Sequence, residues 1–134
     1  MAKIARTPYN GSRWVTKRVS TSTVLNQKLT GQCIFVNANG NINLDINFVN
    51  SGSYFKIILR EDTSGNITLT FPSVEGVIVS DDGSSIALTN VGDSGQTTLV
   101  IPTTASAGSY LDLISDGTKW YITGMIHGVQ PTQS

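Results

Sequence analysis

Gly92-Asp93-Ser94-Gly95 places a serine between glycines, as around the nucleophile of one class of serine protease. That chemistry needs a histidine beside the serine and a carboxylate behind the histidine. The sole histidine, His127, lies downstream of the serine, the reverse of the order in those enzymes. A turn ahead of a strand near 96–101 accounts for the four residues without catalysis. His127 has no second imidazole with which to bind a metal. The acidic pairs Glu61-Asp62 and Asp81-Asp82 sit beside turn residues, where aspartate caps a turn, and neither matches a twelve-residue calcium loop. The glycines occur singly, which excludes a phosphate-cradling loop. Cys33 is the only cysteine, so neither an internal disulfide nor a cysteine-based zinc site is open to the chain. Its run, Gly31-Gln32-Cys33-Ile34-Phe35-Val36, reads as a buried strand with the thiol as a small apolar core residue. The expectation is a non-enzymatic protein with no cofactor and no metal.

Charge is more informative than chemistry. The 134 residues carry nine basic and nine acidic side chains. Residues 1–28 hold Lys3, Arg6, Arg13, Lys17, Arg18 and Lys28 with no acid, and the remainder carries the opposite excess. Tyr9 and Trp14 add stacking surface to this basic segment, a pairing that suits nucleic acid. The acidic body would repel a phosphate backbone, which weighs against nucleic acid and in favour of an acidic protein surface as the partner. No apolar run approaches the ~20 residues of a membrane span, and residues 1–6 lack the apolar segment of a secretory signal. Synthesis in the cytoplasm is the expectation.

The elements that must carry these residues are strands. Ile, Val and Thr supply 40 residues, whereas Ala supplies six and Glu two. Branching at Cβ suits a pleated surface better than a helix. Charged residues make up 13%, against about 25% in ordinary soluble domains, so hydroxyls and amides must carry solubility. Asn41-Ile42-Asn43-Leu44-Asp45-Ile46-Asn47-Phe48 alternates four times, and Ile67-Thr68-Leu69-Thr70-Phe71 does so until Pro72. Further strands are expected near 32–37, 54–60, 75–80, 85–89, 96–101, 109–115 and 118–126. Asn39-Gly40, Ser64-Gly65-Asn66, Asp82-Gly83 and Asp116-Gly117 supply tight turns between them. About nine short strands predict an all-β fold, an antiparallel β-sandwich or jelly-roll-like barrel. The predicted organisation is an extended basic arm over 1–22, a β-sandwich domain over 23–128 and a flexible C-terminal tail over 129–134. One internal echo stands out: Gly52-Ser53-Tyr54-Phe55-Lys56-Ile57 recurs as Gly108-Ser109-Tyr110-Leu111-Asp112-Leu113. Equivalent hairpins in opposite halves of a sandwich would produce it, and so would chance in a chain this rich in Gly and Ser.

The C-terminal third has a recurring phrase. A polar turn and a strand ending in proline, Gly95 to Pro102, precede a glycine-led strand from Gly108 to Ser115. Asp116-Gly117-Thr118-Lys119-Trp120-Tyr121 then leads into the last strand, and Gly65 to Pro72 is an earlier half-copy. This text resembles that of tailed-bacteriophage virion proteins of the capsid decoration (cement), head-fibre and tail-fibre type, over roughly residues 50–126. The resemblance implies a virion component on the outer capsid surface, commonly a homotrimer. Chain length and a terminal arm favour a decoration protein that binds the major capsid protein. Its binding arm would then comprise Lys3, Arg6, Arg13, Trp14, Lys17 and Arg18. The rival implication is a fibre-tip protein with Trp120, Tyr121 or Tyr110 as a sugar-stacking platform.

Overall fold

A computed structural model describes residues 15–134 and is all-β. Twelve strands follow in order: β1 (Val15–Val19), β2 (Thr23–Val24), β3 (Gln32–Val36), β4 (Ile42–Asp45), β5 (Tyr54–Leu59), β6 (Ile67–Thr70), β7 (Val74–Asp81), β8 (Ile86–Val91), β9 (Thr98–Ile101), β10 (Tyr110–Ser115), β11 (Trp120–His127) and β12 (Thr132–Gln133). Among the described residues the only helical piece is a 3-10 turn, Gln27–Leu29, started by Asn26, whose side chain accepts the Lys28 N–H. Every strand forecast from the alternation and turn signals is present. The additions are the five-residue β1 and the two-residue β2 and β12.

Two sheets enclose one core. The first has seven strands in the order β1-β3-β5-β10-β11-β7-β8, the second five in the order β12-β9-β6-β4-β2. The expected antiparallel arrangement is corrected, because both sheets are mixed. Consecutive passes of the chain alternate between sheets, so β1, β3 and β5 stack parallel in one while β2, β4 and β6 stack parallel in the other. The remaining strands then add antiparallel to β5 and β6, and β7 joins β11 in parallel. A parallel pair needs a crossover rather than a hairpin. Here the opposite sheet supplies that crossover in place of a helix, which turn signals alone do not distinguish from a meander.

Period-2 alternation sends one face of each strand inward. Ile34, Phe55, Ile57, Leu111, Ile122 and Ile78 of the seven-stranded sheet meet Ile42, Leu44, Ile67, Leu69, Leu99 and Ile101 of the other, all buried. Trp120 is the largest fully buried side chain. Its ring stacks on Phe55 at 5.8 Å and meets Phe48 edge-on at 5.5 Å, while its Nε1–H donates to the Phe48 carbonyl at 2.8 Å. The indole is thereby both packed and satisfied, as a buried tryptophan must be. Gly76 (φ +152°) permits β7 to lie against β11, since a Cβ there would collide with the Ile122 carbonyl oxygen.

The two copies of the internal echo are not placed in opposite halves. They are antiparallel neighbours, β5 and β10, and Lys56 lies directly opposite Asp112. The hydrogen bonds obey the same local two-fold: Gly52 N to Ser115 O matches Gly108 N to Leu59 O. The half-copies Gly65 to Pro72 and Gly95 to Pro102 are likewise neighbours, β6 and β9, with Leu69 opposite Leu99.

Two boundaries move. Residues 15–19 are an edge strand of the larger sheet and bury Val19, so the arm expected over 1–22 cannot extend past residue 14. The tail over 129–134 is tied down as well. β12 pairs with β9, Pro131 is buried, and the Gln133 side chain accepts from Gly92 N and donates to Asn90 O.

Candidate functional site

The outward face of the seven-stranded sheet is where exposed apolar and aromatic groups gather. Strand register places Arg18, Phe35, Ile58, Tyr110, Met125, Val79 and Leu88 in one row across all seven strands. Six consecutive members of that row are apolar or aromatic. A second row runs Thr16, Cys33, Lys56, Asp112, Thr123 and Val77, and a third Tyr54, Ile114, Tyr121 and Glu75. Among these, Tyr54, Val77, Leu88, Ile114, Tyr121 and Met125 stay exposed. Single exposed apolar residues are ordinary, but a contiguous set marks a contact surface.

Three pairs of charged or ionisable side chains on this face meet within the chain. The Lys56 Nζ lies 3.1 Å from Asp112 Oδ1 and 4.6 Å from the centre of the Tyr110 ring. Lys119 Nζ lies 3.1 Å from Glu75 Oε1, and His127 Nδ1 lies 3.6 Å from Asp81 Oδ2. Cys33 lies on this outward side, not in the core as its run suggested, yet its neighbours bury it. Burial pushes the thiol's pKa up, with Lys56 opposing. A protonated thiol is a poor nucleophile.

The Asp116-Gly117-Thr118-Lys119 turn fixes the end of the face. Asp116 Oδ1 accepts from Thr118 N at 2.8 Å and Lys119 N at 2.9 Å, and Oδ2 accepts the Tyr121 hydroxyl at 3.1 Å. These bonds, that of the Lys119 N–H foremost, hold the carboxyl below its ordinary value of 3.8. A depressed folded pKa means stabilisation that is complete above the unfolded value and lost as pH falls through the folded one. Asp116→Asn should therefore be less stable than the native chain at neutral pH, and the gap should close in acid below 3.8. Denaturant midpoints measured across that range would test this. A gap independent of pH would show that the carboxylate's charge is not what holds the turn.

The sequence candidates fare unequally. Lys3, Arg6, Arg13 and Trp14, with Tyr9, lie outside the described residues. Lys17 and Arg18 are adjacent on β1 and so point to opposite sides: Arg18 aligns with the outward Phe35, Lys17 with the buried Ile34. They do not form one cluster. Of the three proposed stacking residues, Trp120 is fully buried, Tyr110 is half-buried beside the Lys56 ammonium, and Tyr121 is exposed. Ser94 sits in a turn closed by Gly95 N to Gly92 O, at the Val91 end of β8. His127 contacts Asp81, which pairs with Ile86 at the other end of β8. At ~3.3 Å per residue, strand geometry keeps serine and histidine far beyond hydrogen-bond reach. Sequence reasoning missed Tyr54, Ile114, Met125 and Leu88. Only strand register brings them together, although the outward positions could have been read from the alternation once the neighbours were known.

Among the described residues no three or more His, Cys, Asp or Glu side chains come together as a metal site, and no helix is long and apolar enough to cross a membrane. No protein-family model, curated protein or solved structure matches this chain.

Proposed function

We propose that this chain is a non-enzymatic virion structural protein, a capsid decoration protein of a tailed bacteriophage. In this reading a homotrimer of β-sandwich subunits adheres to the outer surface of the major-capsid lattice and stabilises it. The observation that carries the proposal is the outward face of the seven-stranded sheet. It is a broad array in which apolar side chains line up across the strands and Lys56 and Lys119 are paired with carboxylates, a surface suited to adhesion rather than to holding a reacting group. The basic segment supports it, since an acidic protein lattice attracts such a segment over a Debye length of about 10 Å.

A second reading, a fibre-tip protein that binds a receptor or glycan, draws support from the exposed Tyr121 beside Tyr54 and Ile114. Adding the purified protein to shells that lack it, followed by imaging of the particles, separates the two. Decoration predicts regular copies over the whole shell and greater resistance of the shell to heat. A few copies at one tip would favour the fibre reading. Failure to bind shells, together with DNA binding that falls steeply with salt, would favour nucleic acid instead.

A further inference from the structure

An asparagine followed by glycine is open to attack by the main chain on its own side chain. The glycine nitrogen, with no Cβ beside it to crowd the approach, can reach the asparagine Cγ and close an imide ring. The reaction needs a side-chain amide free to turn, a glycine N–H free to lose its proton, and water. Hydrogen bonds therefore decide where a fold permits it.

Three Asx-Gly pairs lie among the described residues: Asn39-Gly40, Asp82-Gly83 and Asp116-Gly117. Two of them are locked. Asp82 Oδ1 accepts from Ser84 N and Ser85 N, both at 2.9 Å, and Gly83 N donates to Asp81 Oδ1 at 2.8 Å. The Asp116 carboxylate is held by Thr118, Lys119 and Tyr121, and Gly117 N donates to Ser115 Oγ at 3.0 Å. In each pair the carboxyl is engaged beyond the glycine and the glycine nitrogen is occupied.

Asn39-Gly40 is different. Both residues are exposed, and neither the Asn39 amide nor the Gly40 N–H has a hydrogen-bond partner among the described residues. Neither takes the positive φ of a tight hairpin turn, because the strands they join, β3 and β4, belong to different sheets. The pair spans two fixed points instead. Before it, the Ala38 carbonyl accepts from Ser64 N and Ser64 Oγ. After it, Asn41 Oδ1 accepts from Asn66 N, and Ile42 N donates to Asn66 O.

We propose that Asn39 is a self-modifying site that converts through a succinimide into aspartate and isoaspartate. Hydroxide takes the Gly40 amide proton, the Gly40 nitrogen bonds to Asn39 Cγ, and the Cγ–Nδ2 bond breaks. Ammonia leaves with a proton from water. A water molecule then opens the ring at either carbonyl. Opening at Cγ leaves aspartate on an unchanged main chain. Opening at the main-chain carbonyl leaves isoaspartate, whose backbone runs through Cβ and Cγ and is longer by one methylene. The longer backbone has little room. Gly65 lies so close to the Gly40 carbonyl that a Cβ on it would collide with that group, and residues on both sides of the pair are pinned. The isoaspartyl form therefore strains the β3–β4 crossover, whereas the aspartyl form does not. The site stands whether or not the chain decorates a capsid.

The folded native chain, held for days at mildly alkaline pH and physiological temperature, supplies the test. Tryptic cleavage after Lys28 and Lys56 isolates Leu29 to Lys56, which contains no other Asx-Gly pair. Mass spectrometry with backbone fragmentation should place the amide-to-acid mass gain at residue 39 and find both isomers there. Asn39→Gln should lose the conversion, and Gly40→Ala should slow it severalfold. The alanine methyl meets nothing within 4 Å and φ at this position is not positive, so that variant keeps the fold while crowding the attacking nitrogen. Asp116→Asn offers the same chemistry with the glycine nitrogen engaged, and its residue 116 should stay intact over the same days. A sample enriched in isoaspartate should melt below Asn39→Asp, which carries the same charge on an unchanged main chain. Conversion at residue 39 only after unfolding in denaturant would overturn the proposal. Conversion in Asp116→Asn as fast as at Asn39 would also overturn it, because free hydrogen-bonding groups would then not select the site. Equal melting of the isoaspartyl sample and Asn39→Asp would overturn the strain at the crossover.

Discussion

Trp120→Ala should be the most damaging single substitution in the body of the protein, costing about 3–5 kcal/mol of the ~5–15 kcal/mol by which a domain is stable. Three losses coincide at this site. The indole packs against Phe55 and Phe48, so truncation opens a cavity lined by rings that cannot collapse without moving β5. The Phe48 carbonyl loses the Nε1–H that satisfies it, and burial without a partner adds to the cost. Trp120 also starts β11, whose backbone N–H donates to Ser73 O and whose length joins β10 to β7. Trp120→Phe separates these contributions. It keeps a ring in place but removes the donor, and it should cost about 1–3 kcal/mol, the penalty of one buried unsatisfied group. Denaturant midpoints of the three proteins would check the ranking. A loss under about 1 kcal/mol for the alanine variant would mean that the aromatic cluster is not the centre of the core.

That tryptophan shows what the sequence makes legible and where it stops. The turn residues Asp116-Gly117 ahead of Trp120 announce a strand start, and the β character of almost every later segment can be read from alternation and turn chemistry alone. The run Asn41 to Phe48, of which Ile42–Asp45 is strand β4, keeps its pattern in three dimensions: Ile42, Leu44 and Ile46 are buried while Asn43 and Asn47 are exposed. Alternation does not report which strand lies beside which. A parallel neighbour across a crossover and an antiparallel one across a hairpin leave the same period of two. Half of the pairing therefore stayed hidden, and with it the rows that form the outward face. β1 stayed hidden for a different reason. Lys17 and Arg18 interrupt the apolar pattern of Val15-Thr16-Lys17-Arg18-Val19, because an edge strand needs only one inward apolar residue and benefits from charge that blocks further pairing. The same residues that look like a solvated arm are those expected of a protected edge. β12 is too short to show any period, and it is held by side-chain bonds from Gln133 that no pattern announces.

The edge role of β1 leads to the second large effect, a difference between two truncations. Removing residues 1–14 and removing residues 1–22 differ by residues 15–22, which pair Val15 to Val19 with Gln32 to Val36, bury Val19 and place the Ser22 hydroxyl to accept the Asn43 N–H. Whatever residues 1–14 contribute, the longer deletion must additionally lose the Val19 side chain from the core, about 1.5–3 kcal/mol. The ladder bonds add little to that figure, since their net worth is offset by the entropy of ordering five residues. Loss of β1 also uncovers β3, whose Cys33, Ile34, Phe35 and Val36 are apolar and whose edge would then be bare, so the longer truncation should aggregate on warming while the shorter one should not. On the proposed function, the two truncations separate adhesion from folding. Both remove Lys3, Arg6, Arg13 and Trp14 and should bind shells more weakly. Only the longer one should melt earlier. Charge reversal at Arg18 in the full chain then asks whether the edge itself touches the lattice: it should weaken shell binding at low salt with no change in melting temperature, because Arg18 is exposed and points away from the core. Equal melting of the two truncations would deny β1 its structural role and return residues 15–22 to the arm. Normal shell binding by the 1–14 deletion would remove the basic segment as the anchor and leave the outward face to carry adhesion alone.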